Sequence, residues 1–128
     1  MSAQLDGAAW SGTVTTRLTG LNGVSIGAGN GCSPGSSITF ALLPNGINGS
    51  LQPGTFNVND ASGLNSILSI GTVTINAFVA NTTGGSGKVT FTTLTTAAAI
   101  GTFQFSYVPS PPSTGTHTVT NGVFNVTF

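Results

Sequence analysis

His117 is the one imidazole in this chain, and Asp6 and Asp60 are its two side-chain carboxylates. Serine-type acyl transfer needs a hydroxyl, a histidine to take its proton and an acid to orient that histidine. Serines are plentiful, but His117 sits in Thr116-His117-Thr118, where alternation puts it on a strand surface, and no local motif joins it to an acid. Glycoside hydrolysis runs on a pair of carboxyl groups, so it would have to use both Asp6 and Asp60. Asp6-Gly7 and Asn59-Asp60 both read as turns. This supply of residues predicts a protein that is not an enzyme, with no catalytic residue and no cofactor.

Metal chemistry is equally short of ligands. A closed zinc site takes about four Cys, His or carboxylate groups, and the chain offers Cys32, His117 and two scattered Asp. Asn57-Val58-Asn59-Asp60 resembles a calcium-binding turn but lacks the carboxylates such a turn uses. Loop capping is the expected role of these side chains. Cys32 lies in the turn-rich Gly31-Cys32-Ser33-Pro34-Gly35 and has no second cysteine to pair with. It reads as a small buried thiol, with an intermolecular disulfide as the sharper alternative in an oxidising compartment.

Binding chemistry has more to work with. Trp10 and Tyr107 are the candidate ligand contacts, because glycan sites pair aromatic faces with polar groups. Trp10, beside Gly7-Ala8-Ala9, also suits a core anchor, while Tyr107 ends a strand before Pro109, where exposure is expected. Thr-x-Thr recurs at Thr13/Thr15, Thr72/Thr74, Thr90/Thr92 and Thr116/Thr118/Thr120. On a strand such pairs share one face, and stacked in register on adjacent strands they would form an ice-binding array. The simpler expectation is a solvated sheet face whose default polar residue is Thr. Sequons at Asn48, Asn81 and Asn125 carry weight only in a eukaryotic secretory setting.

The elements that must position these residues are β-strands. Among 128 residues only Asp6, Arg17, Asp60 and Lys88 are charged, 3% of the chain, against about 25% in an average soluble domain. Thr, Ser, Asn and Gly make up about half. Eight Phe and a mean hydropathy of +0.32 supply a core, so this is not the polar, highly charged composition of a disordered chain. Two basic residues cannot build a nucleic-acid surface or a polybasic membrane anchor. No run approaches the roughly 18 apolar residues of a spanning helix, so no membrane insertion is expected. The opening Met1-Ser2-Ala3-Gln4-Leu5-Asp6 has neither a basic nor an apolar stretch and does not read as a signal peptide.

Alternation and turn residues predict strands over 10–18, 23–28, 37–43, 55–58, 66–80, 88–95, 102–108 and 117–128. Inward faces are expected from Ile38, Phe40 and Leu42; from Phe56 and Val58; from Val73, Ile75, Ala77 and Val79; from Phe103, Phe105 and Tyr107; and from Phe124, Val126 and Phe128. Pro44-Asn45-Gly46 and the Gly-rich 81–87 read as turns, the second joining 88–95 as a hairpin to the strand before it. With no linker, residues 1–128 form a single all-β domain. Its predicted fold is an antiparallel β-sandwich or flattened barrel of about seven or eight strands.

Several short segments resemble an uncharacterised bacterial family of small secreted proteins and lipoproteins. Ala3-Gln4-Leu5-Asp6-Gly7-Ala8-Ala9-Trp10 is similar to its Ala-x-x-Asp-Gly-x-x-Trp opening. Gly101-Thr102-Phe103-Gln104-Phe105 and Val119-Thr120-Asn121-Gly122-Val123-Phe124-Asn125-Val126 resemble its Gly-Thr-Phe-x-Phe and Val-Thr-Asn-Gly-x-Phe-x-Val close. Pro53-Gly54-Thr55-Phe56 and Gly87-Lys88-Val89-Thr90-Phe91-Thr92 are similar to its Gly-Thr-Tyr and Gly-x-Val-Thr-Ile-Thr strands. The resemblance implies an envelope or extracellular β domain and carries no activity. The chain departs from it in having far fewer charges and no acidic residue after the Thr-Phe-Thr strand.

The functional expectation is a non-enzymatic extracellular or cell-surface structural domain that self-assembles into a homo-oligomer or polymer, as a filament, pilus-like or surface-layer subunit. Zero net charge removes the repulsion that keeps copies apart. One Lys and loop-bound prolines leave strand edges unguarded, so strand addition is expected, with residues 1–10 or 117–128 as donors. The alternatives are a surface module for glycans or another small ligand, an ice-binding protein and a virion surface protein.

Overall fold

The computed structural model describes residues 1–15, 23–31, 35–42, 52–71 and 76–128. It is all-β: β1 Ser2–Leu5, β2 Ala8–Ser11, β3 Thr13–Val14, β4 Val24–Gly29, β5 Ser36–Leu42, β6 Gly54–Asn57, β7 Asn65–Ile70, β8 Asn76–Ala80, β9 Ser86–Leu94, β10 Ala98–Pro109 and β11 His117–Thr127. These 11 strands exceed the predicted number. All the strand pairs run antiparallel.

The order β2-β1-β11-β10-β8-β7-β5-β4-β3 traces a nearly closed barrel, with β9 and then β6 branching from β10. The barrel is flattened into two layers. The first sheet runs β6-β9-β10-β11-β1-β2 and the second β8-β7-β5-β4-β3. Two seams join them. At one, β10 parts from β9 after Ser106 pairs with Ser86, and pairs Val108 and Pro109 with Val79 and Phe78 of the second. At the other, β2 passes through Gly12 into β3. A Cβ at Gly12 would lie 2.8 Å from the Trp10 ring, so only glycine lets the chain turn this corner beneath the indole.

The core lies between the layers, where alternation put it. Phe40 from β5 meets Phe103, Phe105 and Phe124 of the first sheet at centroid distances of 5.4, 6.1 and 5.4 Å. Phe91 stacks edge-on against Phe124 and Phe56. Burying each such ring stabilises the fold by about 1.5–3 kcal/mol, and offset or tilted pairs at these distances add to it.

Four expectations are corrected. The predicted strand 10–18 bends at Gly12, and a further strand, β1, precedes it. The predicted strand 66–80 is two strands, β7 and β8, paired with each other, and the inward residues of β8 are Phe78 and Ala80 rather than Ala77 and Val79. Opposite Leu68, Phe78 fills the core better than Val79 does. Val73 and Ile75 lie outside the described residues. The strand at 88–95 is not in a hairpin with the one before it. After the Asn81–Gly84 turn the chain crosses layers, so β9 pairs with β6 and β10, and the end of β10 pairs with β8 instead. Finally, residues 117–128 are not a free donor, because β11 is paired on both sides, with β10 and with β1. Pro44-Asn45-Gly46 and Cys32 lie outside the described residues, as does Arg17.

Candidate functional surface

Both aromatic candidates for ligand contact are buried, and each pins a seam. Trp10 is 6% exposed. Its Nε1 donates to Ser36 Oγ at 2.8 Å, while Asn30 receives the Ser36 amide on Oδ1 and donates Nδ2 to the same hydroxyl. Tyr107, expected at the surface, is 1% exposed. Its alternation with Phe103 and Phe105 continues inward, and its hydroxyl lies 2.7 Å from Ser66 Oγ, which donates to the Thr39 carbonyl. Burial pushes the phenol well above its ordinary value, against a smaller opposing effect of the Ser66 hydrogen bond. Tyr107 is a neutral group that ties β10 to β7 and β5.

The structure also joins two residues treated separately above. His117 Nδ1 donates to Asp6 Oδ2 at 2.6 Å across 111 positions of sequence, and the Thr118 amide donates to Asp6 Oδ1 at 2.8 Å. Partial burial opposes ionisation of Asp6, but the hydrogen bonds from His117 and Thr118 and the attraction of His117 outweigh it and lower its pKa. Phe78 packs edge-on against the imidazole at 4.3 Å. Among the described residues no hydroxyl bonds to the second ring nitrogen. The pair fastens the β1–β2 turn to the start of β11.

Asp60 caps its own loop. It accepts the amides of Asn57 at 2.6 Å and Ser62 at 2.8 Å, and the Ser62 hydroxyl. Burial raises its pKa, but these bonds prevail and lower it. Among the described residues no three His, Cys, Asp or Glu side chains gather. Among the described residues the threonine pairs do not stack as repeated ranks, and Thr72 and Thr74 lie outside those residues. Thr55, Thr90 and Thr102 share one rank across β6, β9 and β10, with 2.9 Å between the first two hydroxyls. The next rank holds Asn57, Lys88 and Gln104.

What remains is the outer face of the first sheet, where two surface depressions lie among the described residues. One, of about 560 Å³, is lined by residues that include Thr92, Ile100, Gly101, Thr102 and Val123. A second, of about 430 Å³, lies among Lys88, Thr90, Thr102, Gln104, Asn121 and Val123. A bulge sets the second one up: Thr120 and Asn121 together face Gln104, with Asn121 at φ 51°. Both side chains then point outward and donate to Gln4 Oε1, Asn121 at 3.0 Å. The face is a mixture of hydroxyls, amides and two exposed aliphatics, and Lys88 is its one charged side chain among the described residues. Such a surface can pack against another neutral surface or bind a hydroxyl-rich ligand. Alternation over 102–108 and 117–128 already implied that Thr102, Gln104 and Val123 point outward; Ile100, which precedes the predicted strand, and the bulge that brings Asn121 beside Gln4 left no comparable signal.

The chain matches no family model, no curated protein and no solved structure.

Proposed function

We propose that this chain is a non-enzymatic structural domain of the cell exterior that assembles with copies of itself into a larger array. The observation that carries this reading is the nature of its surface: a β-barrel of 128 residues with four charges and zero net charge. Its outward positions are hydroxyls, amides and a few aliphatics. Neutral surfaces lack the long-range repulsion that keeps soluble domains apart. The resemblance to small secreted proteins and lipoproteins supports the extracellular setting.

Closure of the barrel changes the expected mode of contact. Barrel closure removes edges, and the described strands still paired on one side only are short: β2 Ala8–Ser11, β3 Thr13–Val14 and the branch strand β6 Gly54–Asn57. Contact between faces is therefore favoured over strand addition. Sedimentation velocity over a wide concentration range, with negative-stain microscopy, tests the reading. Concentration-dependent oligomers or polymers are expected, and a monomer persisting at millimolar concentration would refute self-assembly.

A second reading has its own observation. The amides of Gln4, Gln104 and Asn121 lie beside Lys88 and the aliphatic Val123, which suits the hydroxyls and apolar face of a sugar ring. Since Trp10 and Tyr107 are buried, the test is NMR shifts of Gln104 and Asn121 on titration with soluble polysaccharides. Unmoved shifts across the panel would count against it.

A further inference from the structure

We infer that the outer face of the first sheet, centred on Ile100 and Val123, is the surface through which one copy of this chain contacts another; this rests on the self-assembly reading above. Ile67, Ile100 and Val123 are the exposed large apolar side chains of the described residues, at 46%, 37% and 48%. Two of the three share this face. Val123 pairs with Thr102, the next outward residue after Ile100 on β10, so the two aliphatics are diagonal neighbours on adjacent strands. Between them lies the larger depression, and an apolar side chain from a partner would fill it.

The chemistry of the face selects a second copy as the occupant. A nucleic acid or an acidic peptide would find one cationic side chain, Lys88, among the described residues of the face. Hydroxyls and amides, by contrast, each donate and accept. A face built of them is complementary to itself, which an isologous contact requires; such a contact joins copies in pairs, the unit from which a larger array is built. Bringing two such faces together also desolvates almost no charge, the costly step in burying polar surface.

The size of the face is sufficient. Strands about 4.8 Å apart with a rise of about 3.3 Å per residue give the six-strand layer a face roughly 25 Å on a side. Side chains raise its accessible area toward the ~800 Å² that each partner contributes to a standard interface.

The test is sedimentation velocity on wild type, Ile100→Asp, Val123→Asp and, on the opposite layer, Ile67→Asp, with circular dichroism to verify folding. Wild type is expected to associate, the Ile100 and Val123 variants to associate at least about tenfold more weakly, and the Ile67 variant to behave as wild type. Thr102→Lys, an exposed change on the same face, is expected to disperse the assembly too and serves if an aspartate variant fails to fold. Wild-type association that persists in all the face variants, or that only Ile67→Asp disrupts, would overturn this assignment while leaving self-assembly standing. A wild-type monomer at every concentration would remove both. Polysaccharide binding abolished by Val123→Asp, with sedimentation unchanged, would give the face to a glycan and overturn the contact between copies.

Discussion

The Asp6 carboxylate accepts from the His117 ring and from the Thr118 amide, and so holds the tip of the first hairpin against the beginning of the last strand. Its pKa in the folded barrel is lowered from the ordinary 3.8. A group of this kind contributes stability that is fully present above its unfolded pKa and is lost as pH falls through the folded one. Asp6→Asn keeps the size but weakens the acceptor. At pH 7 it is expected to lower unfolding stability by about 1 kcal/mol, as for an exposed hydrogen-bonded pair. In acid, once the pH has fallen through that lowered pKa and the wild-type carboxyl is protonated as well, the two proteins are expected to converge. Urea denaturation at both pH values measures this; a difference undiminished in acid would show that Asp6 acts through packing instead. Asp60 is held down by its loop hydrogen bonds and adds to the acid lability of the wild type in the same direction.

At the scale of elements, the pairing of β9 with β10 depends on one missing side chain. A Cβ at Gly101 would stand 2.0 Å from the Thr90 carbonyl oxygen and 2.7 Å from the Phe124 ring. Neither neighbour can retreat, because one is ladder backbone and the other is held against Phe40 and Phe91. Gly101→Ala is therefore expected to cost about 3 kcal/mol or more, at the upper end of overpacking changes. Thr102→Ala, one residue on and pointing outward, is expected to stay within about 0.5 kcal/mol. Urea midpoints of the two variants decide it, and equal midpoints would mean that the strands slide apart at little cost. Neither the steric need for Gly101 nor the bulge beside it, where Thr92 donates to the Ile100 carbonyl, is written in the alternation of residues 88–108. The inward series Phe103, Phe105 and Tyr107 is, because period-2 burial is a local property of an extended chain.

For the whole molecule, the scarcity of charge has a consequence for association. Salt screens interactions between charges, and the proposed contact has almost none. Raising NaCl from about 50 to about 500 mM is expected to change the association constant by less than about twofold, where a charge-steered interface would weaken steeply. Sedimentation at the two salt concentrations measures it, and a steep loss would point to Lys88 or another of the four charges as the anchor.

The sequence by itself determined that this is a β protein, which residues of most strands face inward and how little charge its surface carries. These follow from residue type and alternation, which act over a few positions. Only the tertiary structure decided which strands are neighbours, and so that the sandwich is joined at two seams into a nearly closed barrel. It also decided that Trp10 and Tyr107, legible as aromatic candidates for a ligand, are seam fastenings bonded to Ser36 and Ser66, and that Asp6 meets His117. Those partners lie 26, 41 and 111 positions away. Strand pairing across such distances is set by how the inner faces fit together in the core, and no local pattern records it.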